Sequence, residues 1–416
     1  MDDLLKDLEA RGLVEHASAD LTKVLGTRRT VYLGVDPTAD SMQAGNLVVV
    51  LLMKRLADAG HKIVLLVGGG TGMIGDPKEK GERPLADAKT IARNKRALKA
   101  QMQRILGRRI TVVDNADWLL KVRLIDFLRD IGKHFTVNEL VKRDIIRRRL
   151  ETEDDSISYT EFAYALLQGY DYMVLNRDYG VDLQIGASDQ WTNILSGVEL
   201  IRRKLGKEAF ALTTPLVTDA SGKKFGKSEG NAVWLDAEKT SPYAFYQFWL
   251  NQPDAVVGTY LKSYTFMSVL EIGLLLELHS RNPGKREAQK TLARLVTETV
   301  HGAEAAARCA VVSEALFGER GLADLSSAER SALMAEVPSL SLTSTKLAAG
   351  YPVIDALLEG GLAASRGEAR RLIEGRGVSL NGMTIEAPEA TISVSDFQNG
   401  LALLRRGKQV CVLVSR

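Results

Sequence analysis

The sequence has few cysteines, no long hydrophobic run and no basic leader. Its two cysteines, Cys309 and Cys411, are too few for a disulfide framework and favour a reducing compartment. The longest apolar run, Leu47 to Met53, ends at Lys54 and is far shorter than the roughly 20 residues that cross a bilayer. The start, Met-Asp-Asp-Leu, is acidic where a signal peptide would be basic. We therefore expect a cytoplasmic protein with no membrane span.

Net charge is also small, because 55 basic residues face 52 acidic ones and leave +3. This balance does not predict DNA binding, and any contact with RNA must come from local clusters. The chain has 416 residues, of which 45% are hydrophobic, so it can bury two or three ordinary cores. Disordered and fibrous classes are excluded by the same composition.

Strand-like and helix-like segments alternate in the first half of the chain. The strand-like segments are residues 30–35, 61–67, 110–113, 181–186 and 211–217. Strands spaced by helices of this length are typical of βαβ units and a parallel sheet. We therefore expect a doubly wound, Rossmann-like catalytic domain over residues 1–228. A helical connective insertion, at about 115–155, interrupts it.

The rest of the chain divides by composition. Residues 1–25 have the spacing of one amphipathic helix. Residues 229–319 lose the strand pattern and predict an all-α domain. The Ser-, Thr- and Ala-rich residues 320–348 predict a linker. Residues 349–416 predict a small α+β domain, with a helix at 366–374 followed by strands.

Two polar segments follow predicted strands and carry phosphate-binding chemistry. In residues 32–46 a strand and a turn lead into a helix, whose N–H groups favour phosphate, and Thr38 and Gln43 add side-chain donors. In residues 214–228, Lys224 and Lys227 lie three apart among glycines and can neutralise a polyphosphate. The spacing is not that of a P-loop. Taken singly, the first segment could equally be an ordinary βα turn, and the second could equally be a solvated basic loop.

Together, the two segments resemble the His-Ile-Gly-His and Lys-Met-Ser-Lys-Ser signatures of class I aminoacyl-tRNA synthetases. The second reads Lys224-Phe-Gly-Lys227-Ser228, the form usual in bacterial-type tyrosyl-tRNA synthetases. Residues 68–77, 164–171 and 184–191 are similar to substrate-site motifs of that family, and the resemblance covers essentially the whole chain.

The resemblance implies a tyrosine site of eight side chains. These are Tyr32 and Asp171 at the phenolic hydroxyl, Asp76, Tyr164 and Gln168 at the ammonium group, Gln190 near the carboxylate, Asp36 at the main-chain groups, and Gln184. An acid facing a hydroxyl and another facing an amine are chemically sensible pairs. Each acid, seen singly, is more often a surface or capping residue.

The resemblance also implies an ATP site and a two-step reaction. The ATP-binding residues would be Gly45, Asn46, Asp189, Lys224, Lys227 and Ser228, while Thr38, Gln43, Lys224 and Lys227 would stabilise transition-state charge. Gly45 would let adenine lie against the helix. Tyrosine would attack the α-phosphate of ATP, and the tRNA would then accept the tyrosyl group. Mg²⁺ is expected with ATP, without a dedicated protein metal site.

Gln43 and Asn46 stand where the first signature has histidines. Both side chains keep neutral hydrogen-bond donors, so we expect the reaction to survive at an altered rate. One alternative is a synthetase-derived RNA-binding protein with weak or no tyrosine activation. Another is a related class I synthetase for tryptophan, which has no use for Asp171 beside a phenol.

The tail from residue 351 resembles the S4 RNA-binding fold. Arg366, Arg370 and Arg371 fall on neighbouring helical positions and would contact the phosphates of tRNA(Tyr), or merely solvate a helix. A weaker basic cluster, residues 142–143 and 147–149, would meet an acceptor stem or face water. The family works as a homodimer paired through the insertion, so a homodimer is expected here.

Overall fold

The computed structural model describes residues 2–77, 87–107, 110–152, 155–222, 225, 232–317, 322–407 and 409–415, apart from the side chains of residues 144 and 145. The chain forms two compact units. One consists of Met1–Thr240 and Phe248–Val300, and the other of Ser241–Gln247 and His301–Arg416. No helix in these described ranges is long and apolar enough to cross a membrane.

The elements up to residue 301 belong to the α/β arrangement of the first unit, except that residues 242–247 of one helix and the last residue of another, His301, belong to the second unit. The strands are β1 (His16–Ala17), β2 (Thr30–Val35), β3 (Lys62–Val67), β4 (Thr111–Asp114), β5 (Leu183–Ala187) and β6 (Phe210–Thr214). The helices are α1 (Asp2–Arg11), α2 (Leu21–Leu25), α3 (Leu47–Asp58), α4 (Ala88–Leu106), α5 (Ala116–Leu119), α6 (Leu124–Asp130), α7 (Val137–Leu140), α8 (Asp144–Glu151), α9 (Tyr159–Tyr179), α10 (Trp191–Leu205), α11 (Pro242–Leu250), α12 (Asp254–Tyr264), α13 (Val269–Arg281) and α14 (Glu287–His301).

The six strands form one sheet in the order β1-β6-β5-β2-β3-β4. All neighbours are parallel except β1, which is antiparallel to β6. The chain proceeds from β2 to β3 and β4 on one side and later adds β5 and β6 on the other. The switch point therefore lies between β2 and β5, where Tyr32 pairs with Gln184. Sheets of this kind bind ligands beyond the carboxyl ends of the strands at that point. The predicted doubly wound α/β class is confirmed.

The prediction of one helix over residues 1–25 is wrong. α1 ends before Gly12, whose φ of 66° lies in the left-handed region that favours glycine. His16 and Ala17 then form the edge strand β1, which pairs with β6. Asp20 caps a second short helix, α2. A two-residue edge strand has too short a pattern to be recognised by periodicity.

Helices α5 to α8 occupy the stretch predicted to be a connective insertion. α8 is held against the long helix α9 by a buried ion pair. Arg149 Nη1 lies 2.9 and 3.0 Å from the two carboxylate oxygens of Glu161, and both side chains are 2% exposed. Asp155 also pairs with Arg149. Because each charge has a partner, the pair fixes the end of the insertion without leaving a charge uncompensated.

The second unit contains a small sheet and further helices. The strands are β7 (Ser339–Leu342), β8 (Tyr351–Pro352), β9 (Val378–Leu380), β10 (Met383–Thr384), β11 (Thr391–Ile392), β12 (Leu401–Arg406) and β13 (Gln409–Ser415). The helices are α15 (Ala303–Phe317), α16 (Ser327–Glu336), α17 (Ser344–Ala348), α18 (Val353–Glu359) and α19 (Arg366–Glu374). The main sheet has the order β10-β9-β12-β13-β7, and β8 pairs with β11.

The prediction of a linker over residues 320–348 is wrong for its described part, residues 322–348. Its serines and threonines cap helices and form a strand. The Ser326 hydroxyl accepts from the Glu329 N–H in a capping box that starts α16, and Thr343 caps α17. Residues 339–342 alternate serine with leucine and pair in parallel with β13. The segment is thus part of the second unit's sheet.

Gly197 sets the distance between α9 and α10. A Cβ atom there would lie 2.7 Å from Cδ1 and 2.8 Å from Cβ of Tyr172, whose hydroxyl is bonded to the Phe210 carbonyl. We expect Gly197→Ala to destabilise the chain by about 2 kcal/mol through overpacking. Gly273→Ala is the matched control, because a Cβ atom at that helical glycine meets no atom within 4 Å. It should raise stability by about 0.5–1 kcal/mol. Urea unfolding midpoints check both, and equal midpoints would contradict the packing argument.

Candidate active site

Polar side chains gather beyond the carboxyl ends of β2 to β5. Tyr32 lies on β2, and Asp36 follows that strand directly. Gln184 lies on β5. Helix α9 passes over this edge and carries Tyr164 and Asp171, which are both buried. The long helix and the sheet therefore bring together residues that are more than 100 positions apart.

Asp171 is a buried carboxylate held by two donors. Asn115 Nδ2 donates to its Oδ2 at 2.9 Å, and the Trp118 indole N–H donates to its Oδ1 at 2.7 Å. Burial, with only 3% of the residue exposed, raises the pKa of Asp171 to about 7. The two donors oppose this rise, while the charges of Asp36 and Asp114 add to it. Asp171 is therefore a strong acceptor whose charge is sensitive to its partners.

Tyr32 lies beside Asp171 and is 1% exposed. Burial raises the pKa of its phenol well above the usual value, and the Asp171 charge raises it further. The neighbouring Gln184 amide lowers this pKa, yet neither the Tyr32 hydroxyl nor Gln184 Oε1 has a partner of hydrogen-bond geometry in the described chain. Buried polar groups are normally paired, so these atoms indicate room for a polar ligand group.

Asp36 joins the turn after β2 to two other segments. Thr71 Oγ1 donates to its Oδ1 at 2.7 Å, and the Tyr164 hydroxyl donates to its Oδ2 at 2.8 Å. Burial and the charges of Asp36 and Asp76 raise the pKa of Tyr164. Gln168 lies one helical turn beyond Tyr164, and its buried Oε1 has no partner within the described residues. Tyr164, Gln168 and Asp171 therefore share one face of α9.

Asp76 is held by a triangle of side chains. Gln190 Nε2 donates to its Oδ2 at 2.9 Å, and Asn193 Nδ2 donates to its Oδ1 at 3.3 Å. Asn193 Nδ2 also donates to Gln190 Oε1 at 3.3 Å. Behind the triangle, Arg143 donates to Asn193 Oδ1 at 2.5 Å and to the Ser196 hydroxyl. Asp76, Gln190 and Asn193 thus form one hydrogen-bond network, in which the Asp76 carboxylate accepts from both amides.

Two glycines in the segment 68–77 are required by close approach. A Cβ atom at Gly68 would lie 2.1 Å from Asp36 Oδ1, and one at Gly69 would lie 2.2 Å from Asp114 Oδ1. The Gly69 N–H itself donates to Asp114 Oδ1 at 3.0 Å. A side chain at either position would displace a carboxylate.

The residues predicted for ATP lie at the start of α3 and around it. Thr38 is exposed, and its N–H donates to the Asp36 carbonyl at 2.8 Å. The Gln43 N–H donates to Asn46 Oδ1 at 3.4 Å in the turn that opens α3. Asp189 is exposed in the turn before α10. These positions border the carboxyl edge of the sheet.

Of the signature segment 224–228, which ends the loop that begins after β6, only Phe225 is described. Lys224, Lys227 and Ser228 lie outside the described residues, so their predicted roles stay predictions. A Cβ atom at Gly45 would lie 2.6 Å from the Phe225 carbonyl oxygen. Because Gly45 has no side chain, Phe225 can approach the start of α3. This contact brings the two predicted phosphate-binding segments together. This contact gives Gly45 a use besides the predicted one of admitting adenine.

Several donors that hold these carboxylates were not predicted from the sequence. They are Thr71, Asn115, Trp118 and Asn193. One signal was present, because residues 115–118 directly follow β4 and so must lie at the same edge of the sheet. The basic cluster of the insertion was misjudged in part. Arg143 and Arg149 turn inward to protein partners, whereas Arg147 and Arg148 are exposed.

In the second unit, the three arginines predicted to contact RNA lie on helix α19, and Arg366 is its first residue. Arg366 pairs with Asp355 at 2.5 Å. Arg370 and Arg371 are exposed on the same helix. Glu368, between them in sequence, pairs with Arg406 at 2.9 Å. Arg370 and Arg371 therefore present positive charge to solvent, while Glu368 is paired with Arg406.

The sheet topology, the site at its carboxyl edge and the two signature-like segments define a class I tRNA synthetase. The family profile described as tRNA synthetases class I (W and Y) matches residues 26–318, so the chain belongs to this family. A second profile, the Tyrosine--tRNA ligase SYY-like C-terminal domain, matches residues 329–414.

Relatives that match over their full length distinguish between the tryptophan and tyrosine branches of this family. It is 43% identical to Tyrosine--tRNA ligase 1 of Vibrio parahaemolyticus, with 99% of each chain covered. It is 45% identical to Tyrosine--tRNA ligase of Anaeromyxobacter dehalogenans, with 100% of this chain and 99% of the relative covered. A C-terminally truncated mitochondrial tyrosyl-tRNA synthetase from Aspergillus nidulans is similar in structure, with a TM-score of 0.68 and 30% identity. That comparison covers 76% of this chain and 94% of the other. The relatives identify the tyrosine branch of the family.

Removing the Trp118 donor should make stability more sensitive to pH. Because its folded pKa is raised, Asp171 binds a proton more tightly in the folded chain than in the unfolded one, so its contribution falls as pH rises from about 4 to about 7. In Trp118→Phe the charged form loses a hydrogen bond, which costs about 2 kcal/mol, whereas the protonated form loses less. We expect the melting temperature gap to the unchanged chain to widen between pH 5.5 and pH 8.5.

The control for this measurement is Trp234→Phe, whose ring faces the Lys239 ammonium rather than a buried carboxylate. Its effect on melting temperature should be the same at both pH values. A gap for Trp118→Phe that stays constant with pH would show that the indole N–H does not support the charge of Asp171.

Proposed function

We propose that this chain is a tyrosyl-tRNA synthetase, which activates L-tyrosine with ATP and transfers the tyrosyl group to tRNA(Tyr). The observation that carries the proposal is the position of the Asp171 carboxylate next to the Tyr32 hydroxyl. A buried carboxylate fixed by two donors lies beside a buried hydroxyl that has no partner among the described residues. A phenol placed between them donates to Asp171 and accepts from Tyr32, which satisfies all three groups.

The other end of tyrosine is assigned to the acids at the opposite side of the site. Its ammonium group lies against Asp76, Tyr164 and Gln168, where Asp76 offers a carboxylate and Gln168 an unpartnered amide oxygen. Gln190 is placed near the substrate carboxylate. Asp36, fixed by Thr71 and Tyr164, faces the main-chain groups. Gln184, which pairs with Tyr32 across strands β5 and β2, is assigned to the same side of the tyrosine site as Tyr32.

The first chemical step needs positioning and charge stabilisation rather than a protein nucleophile. The tyrosine carboxylate oxygen attacks the α-phosphorus of ATP, and the bond to pyrophosphate breaks, which leaves tyrosyl-adenylate. Thr38, Gln43, Lys224 and Lys227 are assigned to the charge that develops on the phosphates. Gln43 is neutral, and it acts as a hydrogen-bond donor where the family signature has histidine.

ATP is held by Gly45, Asn46, Asp189 and Ser228, together with the two lysines. Mg²⁺ would accompany ATP and neutralise its phosphates. Within the described ranges no group of three histidine, cysteine, aspartate or glutamate side chains is placed to hold a metal ion. We therefore assign the ion to the nucleotide and none of the steps above to a protein-bound metal.

In the second step, a ribose hydroxyl of tRNA(Tyr) attacks the adenylate carbonyl and AMP leaves. Arg366, Arg370 and Arg371 are assigned to phosphate contacts that hold the tRNA, in keeping with their exposure on α19. The reaction is placed in the cytoplasm. Cys309 and Cys411 are both buried and unpaired, as in a reducing compartment.

A homodimer joined through the insertion is part of the proposal. Large apolar side chains are exposed on its helices and the adjoining turns, with Leu124 69% and Ile125 70% exposed on α6 and Val137 62% exposed on α7. Exposed apolar side chains of this size, gathered within residues 120–137, favour a protein interface. The same surface on a second copy of the chain is the assigned partner.

The two alternatives make different demands on the site. A protein that only binds RNA has no need for a buried carboxylate and an unpartnered phenol at the switch point. A tryptophan enzyme presents a single indole N–H, which leaves the Tyr32 hydroxyl without an acceptor of its own. ATP–pyrophosphate exchange with each amino acid in turn separates the three functions.

Tyr32→Phe should lower the preference for tyrosine over phenylalanine. Loss of one hydrogen bond to the substrate hydroxyl costs about 1.4 kcal/mol, so we expect about a tenfold fall in the ratio of the two kcat/KM values. Pyrophosphate exchange measures both. Tyr172→Phe is the control, because that hydroxyl donates to the Phe210 carbonyl at 2.7 Å and should not alter the ratio. An unchanged ratio in Tyr32→Phe would refute the phenol site.

The double variant Arg370→Gln and Arg371→Gln should separate the two steps. Aminoacylation of tRNA should fall about tenfold or more, because two phosphate contacts are lost, and the salt dependence of tRNA binding should weaken by about two units of slope. Pyrophosphate exchange without tRNA should keep its full rate. Arg294→Gln, on the exposed face of α14, is the control. Equal loss of both activities in the double variant would remove α19 from RNA binding.

A further inference from the structure

Arg143 reaches from the insertion to the back of the Asp76 site. It precedes α8, and its guanidinium donates to Asn193 Oδ1 at 2.5 Å and to the Ser196 hydroxyl on α10. Its charge is close enough to interact with Asp76 and Glu139. Burial lowers the pKa of Arg143 to about 10. The side chain is therefore turned into the protein, unlike the exposed Arg148 of the same segment.

The chemistry of the contacts gives Arg143 a defined effect. A guanidinium has five donors and no acceptor, so the Asn193 amide must turn its oxygen toward Arg143. Its nitrogen then faces Asp76 Oδ1 and Gln190 Oε1, at 3.3 Å from each. Gln190 in turn must present its own nitrogen to Asp76 Oδ2, at 2.9 Å. One cation outside the site thus anchors the Asn193 amide in the orientation that Asp76 and Gln190 also require.

We propose that Arg143 is a positioning residue for recognition of the substrate's α-ammonium group, acting through Asn193 on Asp76. The inference rests on the proposed function, in which Asp76 binds that ammonium. Without Arg143 the Asn193 oxygen loses its donor, and the amide is held only through the nitrogen that contacts Asp76 Oδ1 and Gln190 Oε1. With that anchor lost, the amide and the carboxylate that it contacts can shift. The carboxylate then moves, and the ammonium contact lengthens while the phenol end of the site is unaffected.

The alternative is that Arg143 contacts RNA, like a member of an exposed basic cluster. Its half-buried position and its two protein acceptors, Asn193 and Ser196, oppose this. A purely structural role for Arg143 is the other alternative. It predicts that removal of the side chain weakens every ligand of the site alike, whereas a positioning role weakens only ligands that carry an amine.

Three small ligands make the distinction by calorimetry on the full-length chain. L-Tyrosine has both end groups, tyramine has the amine without the carboxylate, and 3-(4-hydroxyphenyl)propionate has the carboxylate without the amine. Arg143→Met should weaken tyrosine and tyramine about tenfold and the propionate less than twofold. Arg143→Lys keeps the charge but not the planar fork, so it should lie between Met and the unchanged chain. Arg177→Met, at an exposed ion pair on α9, is the control and should change none of the three.

Asn193→Ala should reproduce the pattern of Arg143→Met, and the double variant should lose no more than the weaker-binding single variant, because both act on one contact. Equal weakening of all three ligands, or additive losses in the double variant, would overturn the inference while leaving the proposed function intact. Failure of the unchanged chain to bind tyrosine would overturn both. Melting temperatures of all variants exclude global unfolding as the cause.

Discussion

The compensation of buried negative charge is the constraint on which the rest of this structure depends. Three carboxylates lie at one edge of the sheet, of which Asp171 is buried and Asp36 and Asp76 are half-buried. A charge withdrawn from water is tolerated only when donors replace the lost solvent. The donors come from separate segments, namely Thr71, Asn115, Trp118, Gln190 and Asn193. Each donor fixes the loop, insertion or helix that supplies it. The site is therefore shaped by the same contacts that join the insertion and α10 to the sheet.

Periodicity was sufficient for the regular elements and failed for the short ones. Strands β2 and β3 and helix α19 lie within a residue of their predicted positions, because their buried faces leave a clear apolar pattern. The strand at His16–Ala17 is too short to leave any pattern, and its pairing depends on β6, far along the chain. In residues 322–348 the caps and the serine-leucine strand have the composition of a linker, so only their partners distinguish the two.

The acids of the site could be predicted, but the donors that hold them could not. Motifs and the helical spacing of Tyr164, Gln168 and Asp171 place the acceptors together. Asn115, however, is 56 residues from its partner Asp171, and no local pattern links the two. The direction of a charged side chain is equally undetermined by sequence. Arg143 and Arg148 belong to one basic run, yet one turns inward to Asn193 and the other faces water.

The two hydrogen bonds from Asn115 and Trp118 to Asp171 limit how the enzyme's choice of amino acid substrate can change during evolution or design. On the proposed role of Asp171 as the phenol acceptor, an apolar residue at position 171 would suit a substrate without a hydroxyl. It would also leave Asn115 Nδ2 and the Trp118 indole N–H facing a surface that accepts neither. Each buried donor left in this way costs about 1–3 kcal/mol. A new substrate range thus requires coordinated replacement at three positions in two separate segments. Single substitutions meet a stability barrier first, and this barrier protects the fidelity of translation against drift.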